Sequence, residues 1–74
     1  MTRDEKIAKL SHAIMDLRGK YDERTGKWFK PPQPHKIQAV VRWANRLKLN
    51  VTETIEKVES FKHVNEFTAW IKSI

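Results

Sequence analysis

PHKIQAVVRWANRLKLNVTETIEKVESF, residues 34–61, decides what kind of fold this chain makes. Ile37, Val40, Val41, Ala44 and Leu47 recur at three- and four-residue intervals, which puts apolar side chains on one face of an α-helix. Pro34 suits the first position of that helix, where its missing N–H costs nothing, and the periodic run carries it to Lys48. Leu49-Asn50-Val51-Thr52 breaks the period. Either Asn50, with Glu53 three residues on, or Thr52 then caps a short third helix carrying Ile55 and Val58. Two helices joined by a bend have the layout of a helix-turn-helix, but a degenerate one. Lys48 stands where the turn usually has glycine, and the bend is about one residue longer than usual. The would-be recognition helix also carries Glu53, Glu56 and Glu59 beside Lys57 alone, and those carboxylates are repelled by phosphates. This helix is therefore expected to face away from any bound DNA.

Toward the N-terminus, Thr2 followed by Glu5 has the form of a capping box, and it opens a helix from about Arg3 to Arg18. Ile7, Leu10, Ala13, Ile14 and Leu17 form its apolar stripe, and Gly19 supplies the backbone freedom of a helix end. Residues 20–30, KYDERTGKWFK, change character. An aromatic-Asp start, a Thr-Gly pair and a second aromatic group fit a short β-hairpin on a type I turn, with Gly26 in a left-handed position. Tyr21 and Trp28 then face one another. An ordered loop without a ladder is the alternative, because a lone hairpin is marginal in water. Pro31, Pro32 and Pro34 enforce an extended connection to the second helix.

Toward the C-terminus, Phe61 to His63 form a bend. A last helix follows with Val64, Phe67, Trp70, Ile71 and Ile74 on its inner side, Glu66 in its first turn and Lys72 in its last. The fold class expected is mostly α: a compact four-helix domain, residues 1–74, with a hairpin or hairpin-like loop between helices 1 and 2.

Composition bounds the function. With 74 residues and 8.8 kDa, the core is barely sufficient, so apolar positions are committed to packing rather than to a buried catalytic pocket. Apolar residues at 39% are too many for a disordered basic tail, and no run approaches the roughly 18 residues of a spanning helix. No membrane association is expected. The N-terminal stretch lacks the apolar core of a secretory signal, and the absence of cysteine suits a reducing, cytoplasmic setting.

The net charge of +6 is unevenly placed. Residues 1–17 balance, and residues 49–74 lean acidic. Residues 18–48 hold Arg18, Lys20, Arg24, Lys27, Lys30, Lys36, Arg42, Arg46 and Lys48 against Asp22 and Glu23 alone. Tyr21, Trp28 and Phe29 are interleaved with them. Lys and Arg neutralise phosphates, and an aromatic face stacks on an unpaired base. Gln38, Arg42 and Asn45 or Arg46 lie opposite the apolar stripe of the second helix, and these side chain types make two-point contacts with base edges. The expected nucleic-acid-binding set is Arg24, Lys27, Trp28, Lys30, Lys36, Gln38, Arg42, Arg46 and Lys48. Trp28 is expected to be the partly exposed tryptophan, with Trp43 and Trp70 in or at the edge of the core.

Enzyme chemistry has little to stand on. His12 and His63 have only carboxylates at helical spacing, Asp16 and Glu66, so no metal site is expected. Ser11 and His12 diverge as helix neighbours, and two glycines make no phosphate-cradling loop. The expectation is a small non-enzymatic regulatory or accessory protein without a cofactor, binding nucleic acid, DNA before RNA. The alternative is an adaptor or inhibitor, of the kind mobile elements encode, docking on an acidic protein surface through Trp28-Phe29 and Pro31–Pro34. A homodimer pairing Glu53, Glu56 and Glu59 with a neighbour's basic segment is a third arrangement.

Overall fold

The first helix, α1 (Arg3–Arg18), starts where the Thr2 hydroxyl accepts from the Glu5 N–H at 3.2 Å and ends where the Gly19 N–H reaches the Met15 carbonyl at 2.8 Å. Both terminal bonds satisfy groups the helix itself leaves orphaned. Leu10, Ile14 and Leu17 are sealed from solvent and form the centre of the core. The computed structural model describes all 74 residues, with helices α2 (Ile37–Arg46), α3 (Val51–Ser60) and α4 (Val64–Ser73) sharing one core with α1 and no sheet. Val40 and Leu47 come to the core from α2 and its end, Val58 and Phe61 from α3 and its end, and Phe67 from α4. The molecule measures 34 × 24 × 18 Å.

The second helix differs from its sequence expectation at both ends. Pro34–Lys36 make a 3₁₀ turn, and the α-helix begins only at Ile37. At the far end Leu47 closes the helix, and Lys48 adopts φ 60°. The Leu49 N–H then reaches back to the Ala44 carbonyl at 2.9 Å and the Lys48 N–H to the Asn45 carbonyl at 3.0 Å. That pair of bonds is a Schellman ending, with lysine in the left-handed position normally held by glycine. Periodicity alone carried the helix to Lys48; the backbone stops it earlier because Leu49 must turn back onto the core. Asn50, not Thr52, caps α3, its side chain accepting from the Glu53 N–H at 2.9 Å.

Residues 20–30 make no strand. Tyr21 and Trp28 form one isolated antiparallel bridge, and Lys27 forms another with His63. The turn inside is tight, with the Asp22 N–H donating to the Lys27 carbonyl at 2.7 Å, the Gly26 N–H to the Asp22 carbonyl at 2.6 Å, and Gly26 at φ 73°. A longer ladder does not develop, because beyond the Phe29-to-Lys20 bond one side enters α1 and the other reaches Pro31, which has no N–H to donate. The Gly26 carbonyl accepts from the Val64 N–H at 2.8 Å and so serves the first turn of α4. Glu66 serves the same helix end, its carboxylate accepting from the Lys62 N–H at 2.7 Å and the His63 N–H at 3.4 Å; these backbone donors hold its pKa below the ordinary value.

Candidate nucleic-acid interface

Arg18 leaves the basic segment at once. It is buried, 6% exposed, at the end of α1, and its guanidinium donates to the carbonyls of Val58 (3.3 Å), Glu59 (3.0 Å) and Phe61. Those are carbonyls at the end of α3 with no partner inside that helix, and a cation there also complements the helix dipole. Burial pushes the Arg18 pKa below its ordinary value, while Glu59 and Glu66 pull it up. The guanidinium carbon also lies 5.5 Å from the centre of the Trp28 ring. Its position beside Ile14 and Leu17, on the edge of the apolar stripe, is the signal in the sequence for this structural role.

Trp28 is drawn inward by the same cluster. Its ring packs edge-on against Tyr21 at 5.6 Å and Phe67 at 6.4 Å, and the indole N–H is buried without a partner. All three tryptophans are half-buried, so Trp28 is not set apart from Trp43 and Trp70 by exposure. The aromatic ring that stands in solvent is Phe29, at 68% exposure. Trp28 takes its side from the bridge to Tyr21, and the chain bends away at Phe29.

The remaining residues of the expected set fall in three places. Arg24 and Lys27 are exposed in the turn of the 20–30 loop, where the Asp22 carboxylate accepts from the Arg24 N–H at 2.9 Å. Lys30 and Lys36 line surface hollows between the end of α1 and the proline segment, together with Lys20, which the expected set omits. There Lys36 is tied to Asp16 at 2.9 Å. Gln38, Arg42 and Arg46 are exposed on the outer face of α2 with Asn45 beside them. The helix contains no carboxylate. Arg46 lies over the Trp43 ring, 5.0 Å from its centre, which fixes the direction of one arginine. Lys48, exposed, follows in its left-handed turn.

The carboxylates of α3 belong to a different helix. Glu53, Glu56 and Glu59 are all exposed on their own helix. No helix is long and apolar enough to cross a membrane. No protein-family model matches the chain, and no curated protein or solved structure shows detectable similarity to it.

Proposed function

We propose that this protein is a small non-enzymatic nucleic-acid-binding module, DNA before RNA, acting in the reducing cytoplasmic setting that a cysteine-free chain suits. One observation carries the reading: the exposed side of α2 presents Gln38, Arg42, Asn45 and Arg46 with no carboxylate on the helix. Gln38, Arg42 and Arg46 follow at four-residue intervals along about 12 Å of helix. That length matches about three to four base steps at 3.4 Å each. Arg and the amides supply two-point contacts to base edges, and Lys48 at the end of the helix supplies a phosphate contact that helps set the register. In this reading α2 and α3 are a degenerate helix-turn-helix in which α3, with its three exposed glutamates, is scaffold and α2 is the docking helix.

The test is fluorescence anisotropy with labelled DNA at low and moderate salt. Binding should weaken by orders of magnitude between about 50 mM and 200 mM salt, because each phosphate contact releases counterions. The double change Arg42→Glu and Arg46→Glu should abolish binding with helical circular dichroism intact, since both side chains are exposed. Full-strength binding by that variant would remove α2 from the interface. A second reading, an adaptor or inhibitor for an acidic protein surface, is favoured by the exposed ring of Phe29 next to exposed Pro31 and Pro34. It predicts that the wild-type protein leaves nucleic-acid probes unbound at any salt.

A further inference from the structure

We infer that the hollow beside Phe29 is a site for an unpaired nucleotide, so that the ligand is single-stranded nucleic acid; this rests on the nucleic-acid reading above and deepens it. The hollow has a volume of about 340 Å³ and is lined by Gly19, Lys20, Phe29, Lys30 and Gln33. That is the lower end of the range for sites that take one small organic group, about 300–1,000 Å³. Its lining residues are Gly19, one aromatic, two lysines and one glutamine, with no carboxylate among them. The adjoining cleft, which shares Gly19, Lys20 and Gln33, contains Asp16 and Glu23, and there Lys36 is already paired. The anion-seeking end is therefore the Phe29 end.

The backbone of both walls is held before any ligand arrives. The Phe29 N–H donates to the Lys20 carbonyl at 3.1 Å, which keeps the two residues side by side. The Gln33 N–H donates to the Leu17 carbonyl at 3.0 Å and anchors the opposite wall to α1. Gly19, at φ 77°, has nothing within 4 Å of where a Cβ would stand, so the floor is open. A ring left 68% in solvent beside two lysines is the arrangement that stacks a base and neutralises its flanking phosphates. Gln33 both donates and accepts, as a base edge requires.

Pairing decides the class of ligand. A base within a duplex has both faces covered by its neighbours, so Phe29 would reach one only by unstacking it, at a free-energy cost that a single strand avoids.

The experiment compares a labelled oligothymidylate with a duplex of equal length, using wild type, Phe29→Ala, Phe29→Trp and the Arg42→Glu/Arg46→Glu variant. The single strand should bind more tightly than the duplex. Phe29→Ala should weaken the single-strand complex about tenfold to a hundredfold while leaving the thermal midpoint in place, and Phe29→Trp should retain it. Unchanged single-strand affinity in Phe29→Ala, with binding still lost in the arginine double variant, overturns this site and leaves the broader reading standing. No binding of either probe by wild type overturns both.

Discussion

Arg18 spends its guanidinium on carbonyl oxygens rather than on an anion, and the end of α3 depends on it. Replacing Arg18 with Met keeps the bulk against Trp28 but leaves the carbonyls of Val58, Glu59 and Phe61 without their donor. The expected cost is about 2–4 kcal/mol, read from urea unfolding. Arg18→Lys should recover little of it, because one ammonium does not reproduce the planar fork of donors. A loss under about 0.5 kcal/mol, the size of an ordinary surface change, would contradict the structural role. At this scale the sequence was partly legible. Thr2, Gly19 and Gly26 act as their chemistry dictates, whereas charge counting placed Arg18 with the free cations although its register set it on the core edge. For Trp28 and Phe29 the difficulty was different. The pairing of Tyr21 with Trp28 is legible, but not that this side of the loop docks on α4, where Trp28 meets Phe67.

The elements owe their limits to their ends. Lys48 holds φ 60°, a region where a Cβ crowds the following carbonyl and where glycine is free of that strain. Lys48→Gly should therefore stabilise the protein by about 0.5–1 kcal/mol. For a domain of this size, that is a rise of roughly 2–8 °C in the thermal midpoint. A lower midpoint would mean that the lysine side chain contributes more than its backbone costs. The same variant reports on function, because a phosphate-contacting Lys48 would lose affinity while gaining stability. Sequence periodicity located all four helices, since each has an apolar stripe, yet it ran α2 two residues too far. Periodicity has no means of seeing Leu49 turn back to the core. The short hairpin or hairpin-like loop expected between residues 20 and 30 is a loop with isolated bridges and no strand, and Gly26 and Lys27 also pair with the chain around His63 and Val64. Partners so distant in sequence leave no local pattern.

Across the whole molecule, charge and burial divide the surface. α2 exposes Arg42 and Arg46 with no carboxylate on the helix, Lys20, Arg24, Lys27 and Lys30 are exposed in and beside the 20–30 loop, and the exposed glutamates of α3 occupy another helix. The uneven charge of residues 18–48 was plain in the sequence; its division between an outer helix face and a lysine-flanked hollow was not, because that depends on how the loop docks. One bond in that docking reaches further. The Gly26 carbonyl holds the Val64 amide, so the loop carrying Phe29 and the first turn of α4 are tethered through the backbone. Whatever quiets the loop also guards that amide, which makes Val64 a remote gauge of occupancy. Deuterium uptake there should slow when oligothymidylate is added, although Val64 touches none of it, and Phe29→Ala should erase the added protection. Uptake at Val64 indifferent to a saturating single strand would show that the tether does not relay what happens at the ring.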